Sequence, residues 1–303
     1  MKVKTVYNIE KMMAKIHIHP LNMLVWHVLR KYLNWYLPRY YKKNKKINQE
    51  KADKYTDKEV IVSLTTYPAR MKGLPLVLET LFHQSVMPTR ILLWLAENQY
   101  EDQSKVIESL RKYVNNGLEI RFCDDLRAHK KYYYTMKRYP EALVITVDDD
   151  ILYPENMLEL LLMKHCEFPN CIITCRAHEM TFLNGMPAPY STWNFLAPNC
   201  MGPDLKLCAT GGAGCLYPPG SLSKNVFDKE VFTEICFYAD DLWMKCMSYL
   251  NETRIVLTEK NNPEIITIIS EDNDGLATYN VIQKKNDEQL SAVTKKYNIN
   301  WDI

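Results

Sequence analysis

The stretch Ala142-Leu-Val-Ile-Thr-Val-Asp148-Asp149-Asp150-Ile-Leu-Tyr-Pro154 constrains the fold more than any other part of the chain. Its six apolar or β-branched residues predict a strand buried on both faces, as inside a parallel sheet. Three carboxylates end it, and Pro154 with Glu155 predicts a helix running through Leu158, Leu161 and Leu162. Side chains alternate along an extended chain, so Asp148 and Asp150 share a face from which Asp149 turns away. Open α/β sheets bind ligands at the carboxyl ends of their strands. Two unpaired carboxylates there repel each other and are costly to desolvate, a conflict that a divalent cation with oxygen ligands resolves. The plainer alternative is an acidic loop facing the positive N-terminus of the next helix.

Elements alternate on either side of this strand. Upstream come a strand over 59–66, the break Tyr67-Pro68-Ala-Arg70, a helix over 74–82 and a strand over 91–95. A helix over 104–114, a strand over 118–122 and a basic, aromatic helix over 129–139 follow. Downstream are a strand over 171–175 and a loop over 183–204 rich in Pro, Asn and Gly. Then come Thr210-Gly211-Gly212-Ala-Gly214, the run Tyr238-Ala-Asp240-Asp241-Leu-Trp243, a strand-like 264–269 and a helix over 286–297. Strands alternating with helices predict a mostly parallel, open, Rossmann-like α/β sheet flanked by helices.

Charge is placed unevenly. Residues 1–50 carry eleven Lys/Arg against Glu10 and Glu50, an excess of +9 in a chain of net charge +2, which leaves −7 on the rest. Within this arm Leu21, Leu24, Val25, Val28, Leu29, Tyr32 and Trp35/Tyr36 recur at helical spacing. A basic amphipathic helix of this kind is read as lying on an anionic membrane surface; packing on the body or in a dimer is the alternative. The expected organisation is an arm and linker over 1–57 and a catalytic domain over 58–303. That domain divides into a donor half near 58–165, an acceptor half near 166–260 and a tail over 261–303. Nine scattered cysteines without paired spacing, and no export signal, suggest reduced thiols in a cytoplasmic protein held peripherally on the inner membrane face. The acidic body offers no basic groove for nucleic acid.

The ordered set Ser63-Leu-Thr65-Thr66-Tyr67-Pro-Ala-Arg70, Asp148-Asp149-Asp150-Ile-Leu-Tyr-Pro, Gly211-Gly212-Ala-Gly214 and Asp240-Asp241-Leu-Trp243 resembles a known family. It is similar to family-2-like nucleotide-sugar glycosyltransferases of bacterial surface-polysaccharide synthesis, which have the GT-A fold. The resemblance implies transfer of a hexosyl group from a nucleotide-sugar donor to a saccharide or lipid-linked saccharide, with inversion. It places Thr65, Thr66, Tyr67 and Arg70 at the donor's nucleoside, has Asp148 and Asp149 bind the donor as well, and makes Asp150 the more direct metal ligand. Asp148 and Asp150 would hold Mn²⁺ or Mg²⁺, and Asp241, beside Asp240, would act as base. Glu97-Asn98 matches only loosely the acidic residue such enzymes carry after the second strand, so the nucleobase stays open.

Other residues carry two readings each. Lys130 and Lys131 either offset donor phosphate charge or line a solvated helix face. His178 is a third metal ligand or a hydrogen-bonded loop histidine. Gly211 and Gly212 form a turn over the acceptor or a plain tight turn, and Trp193 and Trp243 stack on the acceptor sugar or belong to the core. Two other functions compete with glycosyl transfer. One is a Mg²⁺-dependent Asp-x-Asp phosphatase, whose motif normally ends the first strand; the other is a membrane-docked metal-binding module, for which no Ca²⁺-loop spacing is present.

Overall fold

The structure is a computed structural model that describes residues 2–14, 19–43, 49–260, 265–269 and 285–302. Its centre is a seven-stranded sheet of β1 (Val60–Thr65), β2 (Arg90–Ala96), β3 (Leu118–Cys123), β4 (Leu143–Thr146), β5 (Ile172–Thr174), β6 (Cys215–Tyr217) and β7 (Ile255–Leu257). The spatial order is β7-β5-β6-β4-β1-β2-β3, and only β6 runs against its neighbours. The expected mostly parallel open sheet is therefore present, with the acidic strand β4 near its middle.

Ten helices accompany the sheet among the described residues: α1 (Val3–Ala14), α2 (His19–Lys43), α3 (Leu74–Phe82), α4 (Gln103–Ser109), α5 (Arg111–Val114), α6 (Lys130–Arg138), α7 (Met157–Glu167), α8 (Lys229–Ile235), α9 (Asp240–Leu250) and α10 (Lys285–Lys296). The helix predicted over 104–114 is thus two, parted at Leu110. Alternation along β1 assigns the two faces of the sheet. Val60, Val62 and Leu64 join the core shared with α2, α3 and α7. Ile61 joins Leu92 and Trp94 on the side of α6, where Ser63 bonds Thr135 at 2.7 Å. A third region of core gathers α6, α8, α9, α10 and the ribbon of Ala177–Glu179 with Leu207–Ala209.

The arm packs on the body. Leu29, Leu33, Leu37 and Tyr41 of α2 are buried in the main core with Val3 and Val6 of α1. Each fully buried Leu is worth roughly 1.5–3 kcal/mol, so this is a built interface. The predicted apolar stripe is accordingly split between two faces. Leu21, Leu24, Val28 and Trp35 point outward, with Leu24, Val28 and Trp35 each more than half exposed (61%, 56% and 57%). The expected linker is also tied down in part: Glu50 and Lys51 pair with Val86 and Met87, while 44–48 lie outside the described residues.

Two further expectations are corrected. Glu155 does not open α7. Its carboxylate instead accepts the free backbone N–H groups of Val3 and Lys4, both at 2.9 Å, and so caps α1. The tail segment forms no regular strand. Residues 265–269 are extended, bridge Ile151 at Thr267, and are held from outside by Arg30 and Asn34 of α2; residue 264 lies outside the described residues.

Candidate active site

Five carboxylates converge at the carboxyl end of β4. Asp149 turns inward, as the alternation requires, and is buried. Arg70 Nη1 reaches it at 2.8 Å and Asp150 at 3.0 Å, and the Thr66 hydroxyl donates to it. Asp148 and Asp150 remain partly open to solvent. The backbone of this turn is fixed from the arm's side, because Ile268 N–H donates to the Asp150 carbonyl at 2.7 Å.

Lys131 joins this group to the second acidic pair. Its ammonium, almost fully buried, lies 2.8 Å from Asp148 Oδ1 and 2.9 Å from Asp240 Oδ2. Burial disfavours the ammonium, but Asp148 and Asp240 outweigh that and hold its pKa well above the ordinary lysine range. Burial would likewise raise Asp240; Lys131 reverses this and keeps Asp240 below the usual carboxylate range. Asp241 forms no ion pair of its own among the described residues, and Lys131 acts on it only from a distance. It accepts Gly211 N–H at 2.9 Å, and burial with the adjacent Asp240 pushes it up to about 7. Burial and Asp148 push Asp150 up to about 6 against the pull of Arg70.

The glycine turn is forced by close approach. A Cβ on Gly212 would lie 1.9 Å from Asp148 Oδ2, and one on Gly211 would lie 3.1 Å from Asp241 Oδ1 and from Thr146 Oγ1. Tyr153, buried and overlooked in the sequence, locks the two halves together. Its hydroxyl accepts Asp148 N–H at 2.7 Å and donates to the Gly212 carbonyl. His129 was also missed. Its ring lies between the Tyr132 hydroxyl at 2.8 Å and the Cys236 carbonyl at 3.0 Å, and burial pushes it down to about 4. It therefore stays neutral while it fixes the loop that leads into α9. The sequence offers no signal for Tyr153 beyond a tyrosine after the acidic run.

Several candidates sit elsewhere or act differently. Trp243 is fully buried with its indole N–H on the Val226 carbonyl at 3.2 Å, and Trp193 is buried with its N–H on Ala188 O at 2.9 Å. Both are core residues with no free ring face for a sugar. Lys130 points away from Lys131 to Asp125, at 2.6 Å. His178 is buried, accepts Leu196 N–H at Nδ1 (3.1 Å), and has the Arg176 guanidinium 3.5 Å from Nε2. A cation beside that nitrogen opposes a metal there, and burial with Arg176 pushes the ring down to about 3. The loop-histidine reading fits this geometry. The Thr65 hydroxyl is spent on the Trp94 carbonyl at 2.8 Å, and that of Thr66 on Asp149. Tyr67 is half-buried, with the Arg70 guanidinium 5.4 Å from its ring centre.

A divalent cation suits this cluster. Among the described residues the five carboxylates have two ion-pairing cations between them, Lys131 and Arg70, and burial with the charge of Asp148 raises Asp150. Among the described residues no three Asp, Glu, His or Cys side chains form a complete cage. Two carboxylates with substrate phosphates completing the shell is a usual arrangement for Mg²⁺.

No protein-family model and no curated protein matches the chain. Solved structures do. Staphylococcus aureus TarS 1–349 in complex with UDP is similar at 18% identity and a TM-score of 0.41, over 71% of this chain and 58% of that one. The same protein in complex with UDP-GlcNAc gives 16%, 0.40, 71% and 56%. The mannosyltransferase PcManGT from Pyrobaculum calidifontis, in complex with GDP-Man and Mn²⁺, gives 11% and 0.48, over 90% and 75%. The chain thus spans little more than half of the TarS fragment. At these identities and scores the likeness is one of fold at most.

Proposed function

We propose that the chain is a Mn²⁺- or Mg²⁺-dependent glycosyltransferase that moves a hexosyl group from a nucleotide sugar to a saccharide or lipid-linked saccharide. One observation carries the reading: Lys131 holds the strand-end acidic group and the Asp240-Asp241 pair within a single ammonium's reach. A leaving-group site and a base site therefore lie side by side across the Gly211-Gly212 turn. The sequence resemblance supports the same reading.

Asp148 and Asp150 would hold the cation, which supplies charge stabilisation to the departing nucleoside diphosphate. Arg70 and Thr66 keep Asp149 buried and orient its two neighbours. Lys131 keeps Asp240 ionised, so the proton of the acceptor hydroxyl goes to Asp241, whose affinity near neutrality suits a general base. The Gly211 N–H fixes the carboxylate that receives it. Attack from the side opposite the diphosphate inverts the anomeric centre.

The outward face of α2 supports a peripheral position on the inner surface of an anionic membrane. Leu24, Val28 and Trp35 share one side of the helix with exposed Lys31 and Lys42, and Arg39 stacks on Trp35 at 4.5 Å. No described helix is long and apolar enough to cross a bilayer.

The test is calorimetry of the full chain with a panel of nucleotide sugars, with and without Mn²⁺, repeated on Asp150→Asn. Mn²⁺-dependent affinity for a donor that disappears in the variant is the expected result. Unchanged donor affinity in Asp150→Asn removes the metal assignment, and no affinity for any nucleotide sugar removes the function.

A further inference from the structure

A cavity of about 80 Å³ lies between α1 and the carboxyl end of the sheet. Lys4, Tyr7, Asn8 and Lys11 form one wall, at the spacing of a single helical face. The opposite wall is apolar and comes from Ile151, Met157, Leu160 and Ile265. Among the described residues of the lining, Arg176, just after β5, adds a third cation and Glu259 is the one carboxylate; Glu259 holds Lys11 at 2.6 Å. Tyr153 belongs to this lining and its hydroxyl also bonds Asp148 N–H and the Gly212 carbonyl of the acidic site, so the two spaces adjoin.

We propose that this cavity binds the head of an amphiphilic phosphate ester, with the apolar wall taking the start of its chain. A purely apolar ligand has no use for three cations around one carboxylate. A bare phosphate has none for four aliphatic or thioether side chains. A neutral sugar would call for more amides and hydroxyls than Asn8, Asn156 and Thr258 provide, since the Tyr7 hydroxyl already accepts Ile266 N–H and that of Tyr153 donates to the Gly212 carbonyl. Lys4 and Lys11 would meet the phosphate as charge-assisted donors, Lys11 from its place beside Glu259. That this ester is the glycosyl acceptor rests on the transferase reading above; that it binds does not.

Calorimetry of the full chain with hexyl phosphate, inorganic phosphate and hexanol tests this. Hexyl phosphate should bind about tenfold or more tighter than either of the others. Lys4→Met with Lys11→Met should weaken it by about tenfold or more, the loss of charge-assisted bonds, and leave Mn²⁺-dependent UDP or GDP binding unchanged. Lys4→Glu, at an exposed position, carries the same comparison if the double variant melts early. Equal affinity in variant and wild type overturns the proposal, as does displacement of hexyl phosphate by the nucleotide. Inorganic phosphate binding as tightly as the ester overturns the amphiphilic part. Loss of nucleotide binding alone would instead count against the transferase and leave the cavity's ligand standing.

Discussion

Gly212 stands against Asp148 so closely that a methyl group on it would fall 1.9 Å from the Asp148 carboxylate oxygen. The Gly-rich turn is therefore a mould for an acidic side chain. Gly212→Ala should push Asp148 off Lys131 and disturb the cation site while the sheet stays folded. Mn²⁺-dependent donor affinity should fall by about tenfold or more, the cost of one misplaced charged contact. A calorimetric titration matching wild type would show that the turn yields instead.

Asp241, raised to about 7, sets the expected pH profile of transfer. A base must be ionised, so the rate should climb with pH and level off above about 7. Asp241→Asn should bind donor normally yet transfer about 10²-fold or more slowly, with the rise near 7 abolished. A retained limb in Asp241→Asn would assign that ionisation to another group.

Stability of the metal-free protein should move with pH in the same window and the opposite sense. Asp241 and Asp150 have folded pKa values of about 7 and about 6, above their unfolded values. For an acid raised on folding, the stabilisation is full below the unfolded pKa and is lost as pH rises through the folded one. Melting temperature should therefore decline from about pH 4 to pH 7, most steeply near about pH 5, where both groups are still protonated in the folded state and already ionised in the unfolded one. Saturating Mn²⁺ should flatten the share due to Asp150. A melting temperature rising across that range without metal would contradict the assignment.

Lys131 is a positioning residue whose loss leaves Asp148 and Asp240 without their shared cation. Lys131→Met should destabilise the fold by about 3–5 kcal/mol, the cost of breaking a buried charged pair. Urea unfolding at two pH values separates this from ordinary packing loss. The deficit should shrink in acid, where Asp240 is protonated, because its lowered pKa gives stability that is lost only as pH falls through it.

The membrane face calls for point variants, since removing the arm would strip Leu29, Leu33 and Leu37 from the core. Leu24→Ser, Val28→Ser and Trp35→Ser together should abolish sedimentation with anionic liposomes at unchanged melting temperature. Added salt should weaken the wild-type interaction through its lysines and leave an apolar remainder. Equal sedimentation of variant and wild type would leave this face to a packing or dimer role.

The longer strands were legible because β1, β2 and β4 are dense apolar runs and Gly or Pro stands between elements. Two strands of the central sheet escaped, β6 and β7, each three residues long; β5 is as short but was legible within the run Cys171-Ile-Ile-Thr-Cys175. The first helix escaped because its core face amounts to Val3 and Val6 with little beyond them. At the candidate site the clustering of Asp148, Asp149 and Asp150 at a strand end was legible, because an acidic run directly follows a dense apolar one. The tryptophans could not: Trp193 and Trp243 owe their burial to long-range neighbours, and residue type alone does not fix which way a ring faces. Lys130 and Lys131 are adjacent and alike in sequence, yet the rotation of roughly 100° between neighbours on a helix sends them to Asp125 and to Asp148.

The cap that Glu155 places on the first helix joins residues 152 positions apart. During synthesis the arm leaves the ribosome long before its partner exists. At roughly 5–20 residues per second, the wait is on the order of ten seconds or more. Throughout that interval α1 lacks its cap, and the outer apolar side of α2 is uncovered. The arm's first helix is therefore closed onto the body only after the strand-end turn that carries Asp148, Asp149 and Asp150 has been made.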